Sequence, residues 1–115
     1  MKIIFNKYIP FKGFLAINLF GVLFVRNKEN GLNPVLSKST INHEKIHTEQ
    51  MKEMGYILFY LWYIIEWLIR CVISVVMPSS PYYNISFERE AFANENNLYY
   101  ISSRKHYNWL KYLFK

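Results

Sequence analysis

A run of 23 residues, Gly55–Met77, constrains this chain more than any other stretch. It carries only two charges, Glu66 and Arg70. As a helix it is about 35 Å long, enough to cross a bilayer, so any fold must find cover for it. Three readings stand open. The helix crosses a bilayer with its charges facing protein. It lies at the membrane interface, where Tyr and Trp are favoured. Or it is the central helix of a soluble protein, buried on most sides. Glu66 and Arg70 are four apart in the favourable order, so they are expected to form a structural pair on one face.

The stretch just before it carries the chemistry. His43, Glu44 and His47 form the pattern H-E-x-x-H. Histidines four apart on a helix lie on nearly one face and can grip one metal ion. Glu44, beside the first histidine, projects near the open side of such an ion, where it can take a proton from bound water. The alternative is a solvated helix that happens to carry two histidines. Ser37, Ser39 and Thr40 are N-cap candidates for this helix. Its apolar Ile46, Met51 and Met54 alternate with polar residues in an amphipathic pattern. Glu49 and Gln50 follow His47 closely; either can orient a ligand, but exposed side chains are the default.

Catalytic zinc takes three protein ligands and a water. The downstream acids are better placed for this than the remaining histidine, His106, which lies in a basic, aromatic tail. Ser86 or Asn84 can cap a helix whose first turns hold Glu88 and Glu90. His43-Glu44-x-x-His47 followed by Glu90-x-x-Ala93-Asn94 resembles the gluzincin pattern, H-E-x-x-H with a later E-x-x-A-D, over roughly residues 40–97. Membrane-bound heat-shock metalloproteases, CaaX prenyl proteases and the very small minigluzincins share that pattern. The resemblance implies that Glu90 is the third Zn²⁺ ligand and Glu44 the general base for peptide-bond hydrolysis. It implies that Ala93 lets the two helices approach. Asn94 stands where the family has Asp, the partner of a ligand histidine; an amide accepts an imidazole N–H but adds no negative charge. Glu66 is an alternative ligand. His106 is a weak candidate for stabilising the transition state. Tyr82 and Tyr83 are either oxyanion donors or, the more ordinary role, packing residues.

Composition narrows the partners. At 115 residues the chain is read as one metallopeptidase-like domain over 1–115. Its net charge of +6 comes without a phosphate-binding loop or a nucleic-acid module, so no nucleic acid is expected. A basic, aromatic surface suits an anionic membrane, and the expected partners are a peptide or protein substrate and a membrane surface. Cys71 sits alone in the apolar run as a buried small hydrophobe. No secretory signal is read at the N-terminus, and the expected location is the cytoplasm or the inner membrane.

The remaining segments are short. Residues 1–12, punctuated by Pro10 and Gly13, read as a strand or loop. Residues 14–26 read as strand, in two segments bent at Gly21, in the place where gluzincin peptidases hold substrate as an added strand; the alternative is a buried structural strand. Asn30-Gly31 marks a turn in a loop over 27–36. Residues 78–81 turn the chain, the Glu90 helix continues to about Ser102, and the tail docks, lies on a membrane or frays. The expected fold class is α+β, mostly helical, with a zincin-like active-site helix, a glutamate helix and a small N-terminal β element.

Overall fold

The expected α+β architecture is observed. The structure, a computed structural model, describes residues 1–10, 14–78 and 81–113. Gly13, Ser79, Ser80, Phe114 and Lys115, which belong to the expected loop, turn and tail, lie outside the described residues.

Helix α1, Lys38–Met54, begins where Ser37 Oγ accepts the Thr40 N–H at 3.1 Å. It ends in a Schellman motif: Gly55 N–H bonds to Lys52 O at 3.4 Å and Tyr56 N–H to Met51 O at 2.7 Å. Gly55 and Tyr56 both take positive φ (72° and 58°), so the chain turns directly into α2, Ile57–Val76. Gly55 is left-handed and Tyr56 centres a γ-turn, in which the Ile57 N–H donates to Gly55 O at 2.6 Å, and together they form the corner that sets α2 against α1.

Three strands form the sheet: β1 (Lys2–Asn6), β2 (Ala16–Leu19) and β3 (Val22–Arg26), in the order β1-β3-β2. β1 runs parallel to β3 and β2 antiparallel to it, with Leu19 opposite Val22. The bend expected at Gly21 is therefore a two-residue hairpin. Phe20 and Gly21 both have positive φ (53° and 88°), as a type I′ turn requires. Phe20 is held there by α2: its N–H donates to the Tyr60 hydroxyl at 3.0 Å, and its ring meets the Tyr60 ring edge-on.

Asn18 docks this hairpin on α1. Its amide nitrogen donates to Glu44 O and Thr48 Oγ1, both at 3.1 Å, and its amide oxygen accepts the Gly21 N–H at 3.0 Å. Its own carbonyl accepts from the Tyr60 hydroxyl at 3.0 Å. One residue thus ties the edge strand, its turn, α1 and α2 together.

The second half is built from α3 (Pro81–Asn84), α4 (Ser86–Asn94), α5 (Tyr100–Ser103) and a 3₁₀ helix, Asn108–Tyr112. Phe87 stacks on Phe59 at 4.5 Å and meets Trp109 at 4.7 Å, in a core shared with Met51 and Ile85. The described part of the tail therefore docks.

Three expectations fail here for identifiable reasons. Neither Ser86 nor Asn84 caps α4. Glu66 does so from α2, accepting the Ser86 N–H at 2.6 Å and the Ser86 hydroxyl at 2.7 Å. A carboxylate at a helix N-terminus meets free N–H groups and the positive end of the dipole. Glu66 is thereby drawn away from Arg70, which donates instead to Leu113 O at 2.8 Å, and the expected pair does not form. Nor does α4 continue to Ser102. The Asn42 amide of α1 donates to Glu95 O and Asn97 O, at 2.9 and 3.0 Å, and these C-terminal carbonyls end the helix.

Asn18→Ala removes two donated bonds and the turn acceptor from a nearly buried site. It is expected to destabilise the chain by about 1–3 kcal/mol. Denaturant unfolding checks this: the midpoint falls while the slope is unchanged.

Candidate metal centre

The α1–α4 crossing brings three side chains to one point. His43 Nε2 and His47 Nε2 are 3.1 Å apart. Glu88 Oε1 lies 3.0 Å from the first and 2.9 Å from the second. His43, His47 and Glu88 are all buried.

The outer atoms of this group fix the inner ones. His43 Nδ1 faces the Glu95 carboxylate at 2.8 Å, and a carboxylate only accepts, so this nitrogen carries hydrogen. His47 Nδ1 faces Gln50 Oε1 at 2.8 Å. Gln50 cannot be turned the other way, because its nitrogen donates to Phe87 O (3.1 Å) and Glu90 Oε1 (2.9 Å), both acceptors. His47 Nδ1 therefore also carries hydrogen. In the neutral rings both Nε2 lone pairs then point at one another and at an anionic oxygen. Three lone pairs cannot converge without a positive charge between them, so the site demands a proton or a metal cation.

The electrostatics agree. Burial alone lowers the His47 pKa, but the charge and hydrogen bond of Glu88 more than offset it and raise it to about 9. Burial works to raise Glu88, yet the His47 charge and both imidazole bonds hold its carboxyl well below the usual range. The donor set suits a divalent ion of intermediate softness. Ligands at about 2.0–2.2 Å in a tetrahedron stand about 3.3 Å apart, so the observed triangle needs to open by only a few tenths of an ångström.

The cluster at the crossing differs from the expected ligand set in one member. Glu90 is not at the crossing, and Glu88 is. Two residues apart on a helix means about 200° of rotation, so only one of these acids can face the histidines. Fully buried Ala91 takes the close-approach position, whereas Ala93 is exposed. Asn94 does not reach a histidine; its amide donates to Glu90 O at 2.8 Å. Glu95 partners His43 instead and supplies the negative charge that Asn94 lacks. Glu88 and Glu95 are seven apart, nearly two full turns, and that spacing was the available signal for both. Gln50, expected at the surface, is fully buried. Glu66 caps α4 and is not at the crossing. His106 is exposed, 3.5 Å from Glu53, and away from the cluster.

Glu90 belongs to a second buried network. Arg104 donates to it through Nε (2.6 Å) and Nη2 (2.9 Å), and grips Glu53 of α1 through Nη1 (3.1 Å) and Nη2 (2.8 Å). The Tyr100 hydroxyl adds a bond at 2.6 Å. Burial works to raise the Glu90 pKa, but these donors bring it below the ordinary value.

A cavity of about 270 Å³ opens beside the cluster. Glu44, His47 and Glu88 line one part of it, β2 contributes Ala16, Ile17 and Asn18, and Tyr82 also reaches it. Burial and the Glu88 carboxylate keep the Tyr82 phenol protonated, with its pKa raised. Tyr63 donates to Glu88 Oε2 at 2.8 Å. No protein-family model, curated protein or solved structure matches the chain.

Arg104→Ala leaves two buried carboxylates without their cation and is expected to destabilise the chain by about 3–5 kcal/mol. The pH dependence follows from the depressed Glu90 pKa. Its stabilising contribution is fully present above the unfolded value of 4.5 and is lost as pH falls through the lower folded value. The stability difference between the wild type and Glu90→Gln therefore shrinks as denaturant unfolding is repeated at decreasing pH below 4.5.

Proposed function

We propose that this chain is a zinc-dependent peptidase of the gluzincin type, with His43, His47 and Glu88 as the metal ligands and Glu44 as the general base. The observation that carries this reading is the convergence of three fixed lone pairs at the α1–α4 crossing. Zinc bound there would supply Lewis-acid activation of water and of a peptide carbonyl.

The chain's own residues perform the rest. Glu44 is half-buried on the wall of the cavity that His47 and Glu88 also line, and it takes a proton from the attacking water. It later returns that proton to the leaving amine. Tyr82, kept neutral, offers a hydroxyl to the oxygen on which charge develops. β2 is an edge strand, and its residues 16–18 line the same cavity. An extended peptide or protein segment adding to that edge would bring its carbonyl toward Glu44. Glu95 and Gln50 hold the two imidazoles in the ligating tautomer.

A second reading, a zinc site with a structural role or weak catalysis, is favoured by the near-complete burial of the ligands: His43 and His47 are each 6% exposed and Glu88 is 4% exposed.

Metal analysis of the purified chain separates the possibilities. About one zinc per chain is expected, lost in His43→Ala and Glu88→Gln but retained in Glu90→Gln; zinc lost only in Glu90→Gln would overturn the ligand set. Glu95→Gln should weaken zinc binding by about 10–100-fold. Glu44→Gln should keep the metal and lose peptide cleavage by about 10²–10⁴-fold. A wild type that holds zinc and cleaves no member of a diverse peptide library would leave only the structural role.

A further inference from the structure

Helix α2 is turned inside out. On a helix at a water-facing surface the apolar stripe meets the core and the polar residues face solvent. Here every exposed position from Ile57 to Val76 is Ile, Leu, Val or Trp. The polar side chains Tyr60, Tyr63, Glu66, Arg70 and Ser74 all lie on the side turned to the protein. Exposure is large where it matters: Val72 is 70% and Val75 84% exposed.

The shape of this apolar surface says what covers it. At about 100° per residue the exposed positions sweep roughly two-thirds of the circumference. A single partner helix covers a stripe about 100° wide, so a second copy of this chain packed on one side leaves most of the arc in water. Fluid hydrocarbon wraps all of it. The arc is also graded. Its middle is aliphatic, with Leu61, Leu68 and Val72 close to the centre line. Trp62 and Trp67 fall at its two borders, one on each side of the protein-facing stripe, and indole rings favour the headgroup level.

We propose that α2 is a monotopic membrane helix, lying in the plane of one leaflet with lipid chains against its apolar arc and the rest of the chain on the polar side. A perpendicular, spanning orientation conflicts with the body of the protein. Glu66 and Arg70, at mid-helix, are bonded to Ser86 and Leu113, so that body lies alongside the centre of α2. Trp109 touches Trp62, and the same 3₁₀ helix carries exposed Lys111. Spanning would carry that lysine to hydrocarbon depth. The in-plane orientation leaves it at the headgroups, where a chain of net charge +6 is attracted to anionic lipid. The inference is independent of the metal centre.

The test uses the full chain, purified in mild detergent and mixed with phosphatidylcholine–phosphatidylglycerol vesicles before detergent removal. The wild type should float with the vesicles and stay bound through a carbonate wash. Leu61→Asp with Leu68→Asp, both exposed positions, should cut binding by about tenfold or more while the far-ultraviolet circular dichroism is unchanged. Lys52→Cys and Pro78→Cys, each made with Cys71→Ser and added to preformed vesicles, read orientation: an impermeant maleimide should label both ends of α2 from outside. Labelling at one end only would overturn the in-plane placement in favour of a span. A wild type that leaves the vesicles as a soluble monomer would overturn the proposal, and one that leaves as a dimer would assign the face to a second copy.

Discussion

One oxygen of Glu88 faces two imidazole nitrogens across the α1–α4 crossing, and much of the fold exists to hold that contact. Three electron-rich atoms brought to about 3 Å repel unless a positive charge lies between them. With that charge in place, a proton on His47 or a metal ion, the contact is attractive, and other contacts aim the two helices at it. Ala91 lets the backbones approach, the aromatic core of Phe59, Phe87 and Trp109 clamps α4 from behind, and the Asn42 amide ties its C-terminal end to α1. Glu66 ties its other end to α2. Each of these contacts joins residues distant in the chain, so the geometry of the centre is a property of the whole domain.

The half of the site on α1 was legible because it is local. Histidines four apart on a helix share a face whatever the rest of the chain does, and the Ser37 cap can be read from nearby residues. The half on α4 was not. E-x-x-A occurs twice there, from Glu88 to Ala91 and from Glu90 to Ala93, and local pattern alone does not say which register meets α1. The choice is made by Arg104, fourteen residues beyond Glu90, which claims that acid for Glu53 and leaves Glu88 to the histidines. Glu66 was misread for the same reason. Arg70 was the visible neighbour, but the free N–H groups of α4 exist only once the tertiary fold brings them to α2.

The sheet shows the converse case. Gly21 correctly marked a change of direction between two strand segments within residues 14–26, and the bend there is a full hairpin. Its neighbour Phe20 carries no turn signal. It adopts a positive φ because Tyr60 supplies both a hydrogen-bond acceptor and a ring face. Tertiary contact there overrides local preference, and the same contact sets β2 beside Glu44.

Gln50 has a consequence that reaches beyond its two neighbours. It stands between a ring nitrogen that must give a hydrogen and a carboxylate that must receive one, and it satisfies both with a single planar group. An amide reverses polarity across its own width, which neither a carboxylate nor an ammonium does. A glutamate at this position would set like charges against each other, and an asparagine would be one methylene short. The side chain therefore works as an adaptor between a hydrogen-bond donor and an acceptor, joining the histidine cluster on one side to the Glu90–Arg104–Glu53 network on the other. Through Gln50 and Glu90, the seating of the C-terminal segment on α1 and the aim of His47 share one continuous chain of hydrogen bonds.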